Sequence, residues 1–271
     1  MLGAALRRAG HEVIGASGVS DASRERIEVL LPGVELREPD ALVRDAQLVL
    51  LTVPDDAIAQ VASGLAAMDA WRAGQIVVHA SGRLGAAATA AGALPLAIHP
   101  AMTFTGTSLD LDRMADAVFA VSAPAPVLPI AQALVVEMGG EPIVVEDADR
   151  AAYHAALVHG ANHVVTAVAQ ASAQLARIGV EDPGRVLGPL VHASVEGAVR
   201  EAPGAVSSLT GPVVRGDAGT VAAHLAALAD QPDILAAYRA MSHATADLAL
   251  AGGRIGPAQY ADLVATLGAQ P

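Results

Sequence analysis

The sequence predicts an α/β protein, with a mainly parallel sheet layer over residues 1–146 and an all-α domain over residues 147–271. Three observations carry this reading. Gln47–Val53 and Gln75–His79 are continuous apolar runs, the pattern of parallel strands covered on both faces. Strand-like and helix-like segments alternate as far as Glu146. Beyond Glu146 the strand pattern stops and only helical segments remain.

In chain order, Met1–Ala9 reads as helix, Glu12–Ala16 as strand and Asp21–Leu30 as helix, with Asp21 as its N-cap. Gln47–Val53 is a strand, Asp55–Met68 a helix and Gln75–His79 a strand. Leu94–Ile98 and Ala117–Val121 are further strands, Ile130–Met138 a helix and Pro142–Val145 a last short strand. One long helix from Asp147 to about Arg177 opens the second part. Arg185–Arg200, Ala218–Ala229, Ile234–Ala251 and Pro257–Leu267 complete it. A doubly wound nucleotide-binding fold opens on a strand and a glycine-rich turn. Here a helix comes first, so the expectation is a truncated or misplaced start.

Composition narrows the partners. Of 271 residues, 53% are hydrophobic and 16% charged, which excludes a disordered chain. A net charge of −12 speaks against nucleic acid and anionic membrane surfaces. Cysteine is absent, so disulfides and thiol chemistry are excluded. All 16 basic residues are arginine, which excludes a lysine Schiff base or lysine acid. The longest apolar stretch, Ala117–Met138, is interrupted by Pro124, Pro126 and Pro129, and no secretory signal is visible. The expected location is the cytoplasm.

Ligands of open α/β sheets bind beyond the carboxyl ends of the strands. The loops there carry Ser17, Val53–Pro54, Ser81–Gly82, and His99 with Thr103 behind it. A ribose-binding acid is expected after the second strand in an NAD site. This chain has Ser17 there, with Arg24 on the next helix, a hydroxyl and a guanidinium that suit a 2′-phosphate and therefore NADP(H). The loop Leu209–Asp217 offers Thr210 and Arg215 to a substrate carboxylate, with Asp217 placed to cap the next helix.

The Ala-rich long helix carries a polar stripe, His159, Asn162, His163, Thr166 and Gln170. At about 100° per residue these cover roughly a quarter of the circumference. Three readings stay open: buried or subunit-interface histidines, a metal site, and the lining of a cleft. No glutamate stands beside His159 or His163 to serve as the base of a zinc hydrolase.

The strings VPDDAIAQV, VVHASGRLG, AIHPAMTFTG, LVVEMGGEPIVV, YHAALVHGANHVVT and LTGPVVRGDAGTVAAHL cover nearly the whole chain. Together they resemble the family that joins a Rossmann-like domain to domain of unknown function 2520, whose members are described as NADP oxidoreductases. The layout is similar, more distantly, to 6-phosphogluconate dehydrogenase and ketopantoate reductase. The resemblance implies an NADP(H)-dependent reductase of a small carbonyl or imine compound, such as the 2-oxo acid ketopantoate, working as a homodimer through its helical domain. The distant relatives use a helix lysine four before an asparagine; here Val158 stands four before Asn162 and His159 three before it. The expected catalytic set is His159, Asn162, His163 and His99, with no metal. The competing reading is a nucleotide-binding or interaction protein without catalysis.

Overall fold

Strands form where the apolar runs lie: β1 (Leu48–Leu51), β2 (Ile76–His79), β3 (Leu94–Pro100), β4 (Val118–Ser122) and β5 (Glu141–Val144). The computed structural model describes residues 1–89, 92–202 and 205–268. The chain separates into two compact units, Met1–Asn162 and His163–Pro271.

In the first unit the five strands form one sheet in the order β1-β2-β3-β4-β5. β1, β2 and β3 are parallel, with Leu51 opposite His79 and His79 opposite Ala97. β4 runs antiparallel to β3, and β5 runs parallel to β4. The central strands are sealed: Val77, Leu96, Phe119 and Val121 are wholly buried. Helices α1 (Leu2–Arg8) and α6 (Leu128–Glu137) supply Leu2, Leu6, Ala131 and Val135 to the core of β2, β3 and β4. Helix α4 (Asp55–Ala67) packs Ala62 against Leu51 and Val77. Burying side chains of this size stabilises the fold by about 1.5–3 kcal/mol each, so β2, β3 and β4 form a rigid platform for the loops at their ends.

The sequence reading differs from the structure in four places. Glu12–Ala16 is not a strand; Ala16 makes one parallel bridge to Leu36, since only Glu35 and Arg37 reach it with backbone bonds. Helix α2 (Asp21–Leu30) is capped by Ser20, whose hydroxyl accepts from the Ser23 N–H, and Asp21 is its first residue. Helices α3 (Pro39–Asp45) and α5 (Leu109–Met114) have seven and six residues, too few to show a helical period. The long helix is composite. A 3₁₀ turn at Asp147–Asp149 leads into α7 (Arg150–Leu157), a π-helical turn at Val158–Asn162, and α8 (His163–Arg177).

The second unit comprises α8, α9 (Pro183–Arg200), α10 (Ala218–Ala227), α11 (Pro232–Ala251) and α12 (Pro257–Leu267). Its core joins Val214, Val221, Ala246, Ala249, Leu263 and Leu267. Asp217 caps α10, accepting from the Thr220 N–H at 2.9 Å. Helices α8 and α9 bury no residue, although Val165, Val186, Leu190 and Val199 are apolar. Among the described residues no helix is long and apolar enough to cross a membrane.

Candidate functional site at the carboxyl ends of the parallel strands

Three parallel strands deliver their last residues to one edge of the sheet. β1 ends before Val53–Pro54, β2 before Ser81–Gly82, and β3 carries His99 as its second-last residue. Ser81 is buried; its hydroxyl donates to Asp55 Oδ2 at 2.6 Å and accepts from the Leu84 N–H at 3.1 Å. Arg83 Nε lies 3.2 Å from the same Asp55 oxygen. His79 is wholly buried, its Nε2 2.9 Å from the Gly85 carbonyl.

Helix α7 closes on this edge. Asp147, just before it, accepts from the Ala86 and Ala87 N–H groups at 2.9 and 3.2 Å. Gly85 is required for that approach, because a Cβ there would sit 2.2 Å from the Asp147 carboxyl carbon. Arg150, Tyr153 and His154 stand at i, i+3 and i+4, one face of the helix. Tyr153 Oη is hydrogen-bonded to His99 Nδ1 at 3.0 Å, and the His154 ring meets His99 edge-on at 6.1 Å between centroids. Gly82 lies between the two imidazoles; a Cβ there would be 2.6 Å from His154 and 2.9 Å from His99 Nε2.

Arg150 is wholly buried, yet its acceptors are neutral. Nε donates to Ser122 Oγ at 2.7 Å, and Nη1 donates to the Ser81 carbonyl at 3.0 Å. Nη2 donates to the carbonyls of Ala97 and Ala120 at 3.1 and 3.0 Å. Burial lowers the Arg150 guanidinium from its ordinary value, and Tyr153 and Asp147 oppose that. Burial, then the charges of Arg150 and His154, lower His99 to about 4, against a pull upward from Asp55. Burial also lowers His79 and raises the Tyr153 phenol. At neutral pH His79 and His99 are therefore neutral imidazoles beside a protonated phenol.

Those shifts have a sign for stability. Both histidines lie below the ordinary value of 6.5, so the unfolded chain takes up protons that the folded one refuses. Their contribution is full above pH 6.5 and is lost as pH falls through each lowered value, about 4 for His99. Asp40, Asp45, Asp110, Asp217 and Asp230, lowered from 3.8, act only below that window. Melting temperature should fall from pH 7 to pH 4.5, and His99→Gln should flatten the slope; an equally steep slope in the variant would exclude His99 as a cause.

The structure thus brings together Val53, Pro54, Ser81, Gly82 and His99. Ser17 and Arg24 form a separate group: Arg24 Nε donates to the Gly18 carbonyl at 3.1 Å, beside exposed Ser17. Thr103 is exposed in a loop fixed by buried Asp110, which accepts from the N–H groups of Thr105 and Gly106. His159 and Asn162 belong to the π turn, and His163 opens α8; all three are exposed and engaged in interactions. The π turn also departs from the uniform step of about 100° assumed for the stripe, because it bonds i→i+5. Thr210 and Arg215 are exposed in the second unit, Arg215 closing a 3₁₀ turn whose carbonyl accepts from Gln259. Arg150, Tyr153, His154, Asp55 and Asp147 escaped the sequence reading, although the i, i+3, i+4 spacing of the first three was visible in it.

Residues 1–100 match the Rossmann-like domain model, and residues 117–245 match the model described as domain of unknown function DUF2520. The two models follow one another along the chain, the pairing that the sequence resemblance implies. Its DUF2520 segment begins just before β4, where strand direction reverses, so β4, β5 and Arg150 come from it. No curated protein matches the chain. Among solved structures, an inferred NADP oxidoreductase of Bacteroides fragilis is 20% identical with a TM-score of 0.75, covering 91% of this chain and 93% of its own. A 1-pyrroline-5-carboxylate reductase of Streptococcus pyogenes is 17% identical with a TM-score of 0.61, covering 92% and 93%. An imine reductase of Myxococcus stipitatus in complex with NADP⁺ is 16% identical with a TM-score of 0.59, covering 94% and 90%. At these identities the likeness is one of fold.

Proposed function

We propose that the protein is an NADP(H)-dependent oxidoreductase that reduces a small carbonyl or imine compound. The observation that carries this reading is the cluster of Ser81, Gly82, His99, Tyr153 and His154 at the carboxyl ends of three parallel strands. Open α/β sheets use that edge for nucleotide ligands. The Ser17–Gly18 turn fits the adenosine 2′-phosphate, because Arg24 is held over it by its bond to the Gly18 carbonyl. The solved relatives named for NADP support the same cofactor. Bound NADPH would supply the hydride; this chain's residues would orient the acceptor and deliver the proton.

In this reading Val53, Pro54, Ser81 and Gly82 line the cofactor side and Thr103 serves the substrate, while Thr210 and Arg215 are candidate carboxylate ligands of the second unit. The resemblance of the layout to ketopantoate reductase makes a 2-oxo acid such as ketopantoate the first compound to try. The apolar faces of α8 and α9 carry few charges, so like faces can meet without repulsion, which supports a homodimer of the helical domain.

Fluorescence titration of the whole chain tests the cofactor. NADPH should bind more tightly than NADH, and Arg24→Ala should weaken NADPH about tenfold while sparing NADH, the loss of one charge-assisted phosphate contact. Equal affinities before and after the change would remove the 2′-phosphate assignment. NADPH binding without oxidation by any 2-oxo acid or cyclic imine would instead favour the non-catalytic nucleotide-binding reading.

A further inference from the structure

We propose that Arg150 and Tyr153 are positioning residues that hold His99 in one ring orientation and one tautomer. Nδ1 accepts from the Tyr153 hydroxyl, and Nε2–H is kept as a hydrogen-bond donor for the substrate's carbonyl or imine. This deepens the reductase reading and rests on it for the role of Nε2–H alone.

The geometry carries the inference in three steps. First, Arg150 ties one helix to three places at once: the loop after β2 through Ser81, β3 through Ala97, and β4 through Ala120 and Ser122. A wholly buried guanidinium with no carboxylate among its bonded partners is costly, and it is retained here by four directed bonds. Those bonds fix where α7 begins relative to the strand ends. Secondly, Tyr153 and His154 lie on the same face of α7, so fixing Arg150 fixes both against the His99 ring. Thirdly, Tyr153 Oη occupies the Nδ1 side of the ring, and the Nε2 side is left open only because residue 82 is glycine, where a Cβ would come within 2.9 Å of Nε2.

The direction of the Tyr153 bond is set by charge. Burial raises the Tyr153 phenol, so it keeps its proton and has an O–H to donate, and the nearby Arg150 guanidinium, which opposes the rise, makes that O–H the better donor. With Nδ1 accepting, a neutral ring must carry its proton on Nε2. The groups facing His99 are Tyr153, His154 and Arg150 from α7 and Asp55 from α4. Arg150 and His154 disfavour a cation there, and Asp55 favours one. A neutral imidazole that donates a hydrogen bond to a carbonyl is an established way to polarise it.

The test needs no substrate, so it stands or falls apart from the reductase reading. The full chain, labelled with ¹⁵N, gives ring tautomers by two-bond ¹H–¹⁵N correlation, with His99 assigned by its absence in His99→Gln. The wild type should show His99 as a single Nε2–H tautomer between pH 6 and 8, titrating well below an ordinary histidine. Tyr153→Phe should mix the tautomers. Arg150→Lys should raise the titration midpoint by about one pH unit as the helix loosens. Should that variant not fold, Ser122→Ala removes the Nε acceptor, together with the hydroxyl's own bond to the Val145 carbonyl, and should shift the midpoint the same way. A purely structural role would lower the melting temperature of these variants while leaving the His99 tautomer and midpoint unchanged, and that result would overturn the proposal. So would a wild-type ring protonated on Nδ1.

Discussion

Arg150→Met is expected to destabilise the first unit by about 3 kcal/mol or more. Two effects oppose each other. Methionine removes the cost of holding a cation away from water, and apolar replacement of buried charges is sometimes stabilising for that reason. Against it stand four hydrogen bonds, two of them to strand carbonyls at Ala97 and Ala120 and one to the Ser81 carbonyl. Bonds to charged donors are worth about 1.5–3 kcal/mol each, and a buried acceptor left without its partner costs about 1–3 kcal/mol. Methionine offers nothing to any of the four acceptors, so the losses outweigh the relief. Chemical denaturation checks this as a lower midpoint at unchanged slope, the signature of lost stability without a change in exposed surface. A variant as stable as the wild type would mean that water or a backbone shift takes over the four acceptors, and the clamp on α7 would then be dispensable.

That clamp marks the limit of what the sequence discloses. The sheet is legible because Gln47–Val53 and Gln75–His79 are apolar without interruption, and only a strand covered on both faces asks for that. The strand at Glu12–Ala16 is misread because β-branched Val13 and Ile14 suit a strand, while Ala16 finds only a bridge to Leu36. Strand direction is not written in side chains, so the reversal at β4 had no local signal. The site divides in the same way. Ser81, Gly82 and His99 are legible from their positions at strand ends. Arg150 looked like one more surface arginine, since nothing local says that Ser81, Ala97, Ala120 and Ser122 converge on it. The π turn is equally hidden, because one extra residue in a turn leaves an Ala-rich segment looking helical throughout.

His159→Gln is expected to cut NADPH-dependent turnover by about 10²–10⁴ with little change in NADPH affinity, if His159 delivers the proton to the reduced substrate. The chain narrows the choice of acid. No lysine exists to supply an ammonium. His99 is lowered to about 4 and engaged by Tyr153, so it stays neutral where the enzyme would work. His159 is exposed in the π turn, where water can reload a ring that has given up its proton, and π turns recur at functional sites. Glutamine keeps the size and hydrogen bonding of the ring but cannot shuttle a proton, so the loss should fall on kcat rather than on KM. His163→Gln is the comparison, since His163 is the second candidate for the acid; the larger loss of kcat marks which histidine delivers the proton. Steady-state kinetics at neutral pH separates the outcomes. Unchanged kcat in His159→Gln together with a large loss in Tyr153→Phe would move the acid to the phenol. The protonated Tyr153 hydroxyl would then be the donor, and Arg150 would set its position for chemistry as well as for His99.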